Sequence, residues 1–321
     1  MFGYLRLILS ILVLLSHLDI RFYGLNQGVI AVVIFYILAG FVVSHLYTNI
    51  FMDYKLFIKD RIRRIFPLYL FITILTILFI TTTHFGSPHF TIFNIFSNLT
   101  IIPLNFYMLL DNAILTEPKW WLVPPAWSLG TELQAYLLLP FAIIYPKVRY
   151  IFITISFFIY MVANLNIIHP DYFGYRLIVG VMFIFLVGTS LQKVASKTQT
   201  KFDILFLFAV WFTTLIFIST LIYFGFEIKA YAKETTIGLI FGIPIIYTLS
   251  ISNIKLPFNT ILGSLSYGIF LSHFLSIWIV EYLSISKYKI ESVLGISLLV
   301  ALVGISLEKK LPKNKKSVEK M

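Results

Sequence analysis

The stretch YLRLILSILVLLSH, residues 4–17, decides how the chain is read. It is a run of Leu, Ile and Val suited to lipid, with an arginine near its start and a histidine at its end. Arg6 and His17 are eleven residues apart in the chain. On an α-helix that offset is about 20° from a whole number of turns and about 16 Å along the axis. The two ionisable groups therefore share one helix face, with Ser10 and Val13 between them. Arg6 has an ordinary reading, a long side chain that snorkels to the interface. His17 also has one, a hydrogen-bonded structural imidazole. Yet an ionisable group inside lipid is by default a functional candidate. The run is not read as a cleaved signal, because His17 and Asp19 stand where a small-residue cleavage site would fall.

The rest of the chain agrees that lipid is the solvent. Of 321 residues 59% are hydrophobic and 12% charged, and the mean hydropathy is +0.92. A soluble domain is roughly 45–50% apolar. The 32 Phe and 19 Tyr suit lipid-facing and interfacial positions. There is no Cys, which excludes disulfides and thiolate metal sites. No metal or permanently bound cofactor is expected. The net charge of +11 fits either nucleic acid or a membrane topology signal. The second reading is preferred, with no nucleic-acid partner, because excess Lys and Arg on one side of a membrane sets orientation.

Crossing the hydrocarbon takes about 20 apolar residues. Ten such spans are expected, near 3–20, 28–48, 65–82, 122–145, 149–166, 175–193, 202–224, 235–252, 259–283 and 291–308. The segment 83–121 is the longest between spans; its apolar piece 99–110 is too short to cross and reads as re-entrant or interfacial. With ten spans both termini lie on one side. Of the 25 Lys and Arg, only Arg21, Lys119, Arg176, Lys229, Lys233, Lys287 and Lys289 then fall on the other. That bias puts both termini in the cytoplasm. The expectation is an all-α polytopic integral membrane protein. It has one transmembrane domain over residues 1–308 and a basic, disordered cytoplasmic tail over 309–321.

Three further stretches carry ionisable groups at membrane depth. In FIKDRIRRIFPLYLF, 57–71, Arg61 and Arg64 share a helix face while Arg63 points elsewhere. They serve either as ordinary positive-inside charge or as a phosphate-binding fork, since guanidinium matches phosphate bidentately. In VPPAWSLGTELQAYLLLPF, 123–141, Ser128, Glu132 and Tyr136 form one stripe. A carboxylate there needs a partner or a role. Glu132 could pair with a structural arginine such as Arg176, or hold the tautomer and charge of a histidine. In LGSLSYGIFLSHF, 262–274, His273 falls mid-span near the face of Ser266 and Phe270. A structural hydrogen bond competes there with a functional role.

Together these stretches resemble the bacterial membrane acyltransferase 3 family, integral-membrane O-acyltransferases of cell-surface sugars. Arg6 and His17 match its first-span pair. YILAGFVV matches its Gly-Phe segment, with Ala39 for the usual Ser and Val42 for Leu. Arg61, Arg64, Pro67 and Tyr69 match its R-x-x-R and Pro-x-Tyr elements. Trp127, Ser128, Leu129, Glu132 and Tyr136 match its Trp-Ser-Leu-x-x-Glu element, with Ala135 for Phe. Ser266, Tyr267 and His273 match its Ser-Tyr…His element. The resemblance implies transfer of an acyl group, commonly acetyl, from acyl-coenzyme A as co-substrate to a sugar hydroxyl. It implies His17 and Glu132 as catalytic residues. Arg6, Arg61 and Arg64 are implied on the acyl-coenzyme A, and Trp127, Tyr136 and His273 on substrate. His17 would be either a general base or an acyl carrier. The acceptor would be a carbohydrate or glycolipid arriving from outside; Trp120 and Trp121 there either stack on the sugar or, as is commoner, anchor the chain at the interface. The location would be the bacterial inner membrane. Some relatives carry a fused SGNH-type domain; this chain is expected to act alone or with a separate partner. A transporter or flippase for a lipid-linked sugar or anionic solute is the alternative, and a non-catalytic assembly subunit a third. The absence of an internal repeat counts against the transporter.

Overall fold

The residues expected to lie in lipid form helices. The computed structural model describes residues 1–225, 229–252 and 254–310. In chain order the helices are α1 Phe2–His17, α2 Gln27–Asn49, α3 Tyr54–Thr83, α4 Ile92–Thr100, α5 Ala126–Ile144, α6 Pro146–Asn164, α7 Ile178–Ala195, α8 Lys201–Tyr223, α9 Ala232–Ile251, α10 Asn259–Tyr282 and α11 Lys289–Lys310. A 3₁₀ turn, Ile102–Phe106, follows α4, and a π turn, Tyr172–Arg176, leads into α7. The strands are a two-residue hairpin, β1 Leu115–Thr116 and β2 Lys119–Trp120. Among the described residues nine helices are long and apolar enough to cross a membrane. The chain is an all-α polytopic membrane protein. The expected basic tail, beyond the last turn of α11, lies outside the described residues.

Local chemistry sets the helix starts. Asn26 caps α2 by accepting the N–H of Gly28 at 3.1 Å. Thr91 with Asn94 boxes the start of α4, and Thr200 with Asp203 that of α8. Pro146 opens α6, where its missing N–H matters least. Most helices start or end within four residues of the expected spans, and two of the differences bear on the site. The third helix starts at Tyr54, so Arg61 and Arg64 sit inside one continuous helix. The first has 16 residues and ends at His17. At 1.5 Å per residue it is about 24 Å long, short of the roughly 30 Å hydrocarbon layer.

The described residues divide into two compact units, neither continuous in sequence. The first holds Asp19–Ile58 and Thr131–Leu256. Its centre is α2 against α7, close enough that only glycine fits. A Cβ on Gly40 would stand 1.9 Å from the Phe185 carbonyl oxygen, and one on Gly188 1.9 Å from that of Ile37. The Ser44 hydroxyl donates to Gln192 Oε1 at 2.9 Å across the same seam. Arg149 at the start of α6 is buried with Asp203 of α8 as an ion pair, and also donates to Ser190 Oγ at 2.6 Å.

The second unit holds Phe2–Leu18, Lys59–Gly130 and the chain from Pro257 onward. Here α10 is the central helix, packed by α1 and α11. The Gly3 N–H donates to Asn259 Oδ1 at 2.8 Å, and Gly268 packs against Ala301 with no room for a Cβ. The buried Ser297 hydroxyl donates to Ser276 Oγ at 2.9 Å, tying α11 to α10. The segment 84–122 belongs to this unit and is held by buried amides. Asn98 Nδ2 donates to the Asn112 carbonyl at 3.0 Å, and Asn98 Oδ1 accepts the Leu122 N–H at 2.8 Å. Asn94 Nδ2 reaches the His89 and Ala113 carbonyls, and Asn112 Nδ2 that of Pro103. Tyr69 of α3 donates to the Asn98 carbonyl at 2.5 Å.

Candidate active site

The line from Arg6 to His17 runs along α1 as its spacing requires. Arg6 is half-buried, Ser10 and Val13 are buried, and His17 is exposed at the last residue of the helix. Helix C-termini carry partial negative charge and favour a cation there. An imidazole that takes up a proton becomes one.

Helix α10 supplies what surrounds His17 in this unit. The His273 ring stacks on it with centroids 5.2 Å apart and planes 23° apart. Phe274 meets it at 4.7 Å with a tilt of 58°. Phe274 in turn touches Trp120 of the hairpin at 5.2 Å, so the Trp120 and His17 rings both rest on one phenylalanine. Trp120 is half-exposed. Trp121 is buried and its indole N–H donates to the Pro124 carbonyl at 2.8 Å. The two tryptophans thus differ: Trp121 holds the segment together, while Trp120 presents a face. Sequence reasoning put both beside the acceptor and missed Phe274, which carries no signal among 32 phenylalanines.

Arg61 and Arg64 lie one turn apart on α3, Arg61 buried, Arg64 half-buried and Arg63 exposed. Arg61 Nε donates to Asp60 Oδ2 at 3.1 Å, and Nη2 bonds the same oxygen. Asp60, in the quoted stretch but not singled out there, therefore anchors Arg61 and offsets its charge.

Val123–Pro125 form a tight turn into α5, and Ser128 Oγ caps back to the Pro125 carbonyl at 2.9 Å. Trp127 is buried, and its carbonyl accepts from Asn105 Nδ2 at 3.4 Å. Further along α5, in the first unit, Tyr136 donates its hydroxyl to Glu132 Oε1. Arg176 is paired with Asp171, its Nε donating to Oδ1 at 2.7 Å. Of the expected site residues, His17, His273, Arg6, Arg61, Arg64 and Trp127 lie in the second unit, Glu132 and Tyr136 in the first. Within their units His17 meets His273, and Glu132 meets Tyr136. Ser266 Oγ turns back to the Gly263 carbonyl, and Tyr267 donates to that of Ile65 at 3.0 Å, so both support the helices. Among the described residues no group of three His, Asp or Glu could hold a metal ion.

A family model described as an acyltransferase domain, Acyl_transf_3, matches residues 2–307. The chain belongs to this acyltransferase family. The match spans every helix that carries a candidate site residue. An uncharacterized protein of Aquifex aeolicus (strain VF5) is 46% identical to this acyltransferase over 198 residues, 60% of this chain and 89% of the relative. No solved structure shows a significant match.

Proposed function

We propose that this acyltransferase moves an acyl group, acetyl in the simplest case, from cytoplasmic acyl-coenzyme A to a hydroxyl of a cell-surface or exported polysaccharide or glycolipid. It works in the bacterial inner membrane with both termini in the cytoplasm. The observation that carries this reading is His17, exposed at the end of a helix whose other end bears Arg6, and set against aromatic rings that lead to the half-exposed Trp120.

Arg64, with Arg6 and the anchored Arg61, binds the phosphates of the donor, for which guanidinium is the matching donor group. The pantetheine arm runs along α1 and brings the thioester to His17, about 16 Å from Arg6. His17 takes the proton of the acceptor hydroxyl. The oxygen attacks the thioester carbonyl, the C–S bond breaks, and coenzyme A leaves as a thiolate that is reprotonated from the imidazolium. General-base help of this kind contributes about 10²–10⁴-fold, and the α1 C-terminus favours the transient cation. Trp120 receives one face of the acceptor sugar. Glu132, which accepts the Tyr136 hydroxyl, is proposed as a further catalytic residue, and Tyr136 and Trp127 as substrate residues.

The test uses purified protein in detergent with radiolabelled acetyl-coenzyme A and no acceptor. Wild type is expected to bind the donor and hydrolyse it slowly; His17→Ala is expected to bind and not hydrolyse. Absence of binding by wild type across a panel of acyl-coenzyme A donors sinks the reading. Acid quench during turnover checks the base role, since an acyl-histidine trapped at His17 would make it a carrier instead.

A further inference from the structure

We propose that His273 is a positioning residue for His17: its buried ring, pinned by a hydrogen bond within α10, fixes the plane of the reacting imidazole. The proposal rests on the reading of His17 as the reacting group.

His273 is fully buried, so it reaches substrate only through a neighbour. That neighbour is His17, stacked at 5.2 Å with an interplanar angle of 23°. Phe274, one residue on, meets His17 at 4.7 Å from a different plane. Two rings of α10 thus bear on the His17 imidazole from two orientations.

The choice of histidine at 273 has a physical reason. Its Nδ1 lies 3.3 Å from the Ile269 carbonyl oxygen, one turn back. A carbonyl only accepts, so Nδ1 carries the proton in this bond. Nε2 then holds a lone pair, and it is buried with no hydrogen-bond partner among the described residues. An orphaned buried nitrogen is destabilising and calls for an explanation. Phenylalanine would fill the place without the orphan. It could not donate to Ile269, so packing alone would hold its ring. The imidazole has a bonded anchor that a phenyl lacks. Phe270 and Phe274 flank it at 6.2 and 5.1 Å, closing its surroundings on the same helix. The reacting nitrogen of His17 must meet the hydroxyl within a narrow range of angle and distance, and small misplacements are expensive in rate.

The test compares full-length wild type, His273→Phe and His273→Asn in detergent. The first variant keeps a ring and loses the pin; the second keeps a donor for Ile269 and loses the ring. His273→Phe removes an orphaned polar atom but adds volume at a fully buried position, so the thermal midpoint is read beside the kinetics. Three quantities are read: the rate of carbethoxylation of His17 by diethyl pyrocarbonate, mapped by mass spectrometry; kcat and KM for acetyl-coenzyme A; and the thermal midpoint. The expected result is a His17 modification rate altered several-fold in both variants. With it, kcat falls by about 10–100-fold while KM and the midpoint stay near wild type. A His17 modification rate unchanged in either variant overturns the proposal, as does a fall in kcat that only follows a loss of folded protein. Carbethoxylation needs no acyl donor. A shifted rate in a protein that binds no acyl-coenzyme A would therefore keep the positioning role and remove the acyltransfer reading.

Discussion

Tyr136 donates its hydroxyl hydrogen bond to Glu132 Oε1, one turn away on the same face of α5. The tyrosine ring is buried and lies edge-on to Phe57 at 6.2 Å, so its hydroxyl has little freedom to leave. A carboxylate in an apolar helix is stabilised by such a donor. Tyr136→Phe removes it and leaves the ring packing in place. Loss of a hydrogen bond to a charged group is worth about 1.5–3 kcal/mol. Acyl transfer is expected to fall by roughly 10–100-fold, more than the accompanying drop in the thermal midpoint explains. Steady-state kinetics beside a thermal melt checks this; a lowered midpoint with full activity would make the pair structural.

The two adjacent tryptophans are expected to separate cleanly on mutation. Trp120→Ala removes a half-exposed face that rests on Phe274. It should raise the acceptor KM about 10-fold, the value of one aromatic stacking contact, and leave the donor KM alone. Trp121→Ala removes a buried ring and its bond to Pro124. That should destabilise by about 3–5 kcal/mol. Kinetics with both substrates and denaturation of the two variants decide it; equal effects on stability would contradict the division.

Arg64→Lys tests the donor end. Lysine keeps the charge and loses the planar fork. The KM for acyl-coenzyme A should rise about 10-fold or more with kcat near wild type, as loss of a charge-assisted hydrogen bond would give. Arg63→Lys, at an exposed position of the same helix, is the control and should change neither constant. Equal behaviour of the two variants would remove Arg64 from the site.

Gly188→Ala tests the seam between α2 and α7. The new Cβ would stand 1.9 Å from the Ile37 carbonyl oxygen, a backbone atom that cannot step aside. Overpacking of this kind costs about 1–3 kcal/mol or more. A lowered thermal midpoint is expected, and an unchanged one would mean that the helices stand further apart.

Hydropathy made the helices legible, because it measures suitability for lipid. It placed the third span at 65–82, yet α3 begins at Tyr54. Lys55, Lys59 and the arginines at 61, 63 and 64 fell outside the span because they do not suit lipid, although nothing in them opposes the helix that the Arg61/Arg64 spacing suggests. The first span was drawn to residue 20, through His17 and Asp19, whereas α1 ends at His17. Ionisable residues stood out singly, but their partners did not. Arg149 counted as topology charge because Asp203 is 54 residues away. Asp60 was hidden by the arginines beside it, and Phe274 by the abundance of its kind. The stripe of Glu132 and Tyr136 was legible because helical spacing alone brings them together. The stack of His17 on His273 was not, since it depends on how α1 meets α10.

The amides of Asn94, Asn98 and Asn112 donate only to main-chain carbonyls. Such bonds place no demand on the identity of neighbouring side chains. The segment 84–122 is therefore a frame whose outward positions can be rewritten while its shape persists. Under the proposal that this segment meets the acceptor, substrate range can drift by surface substitution with no change to the bonds that hold the segment.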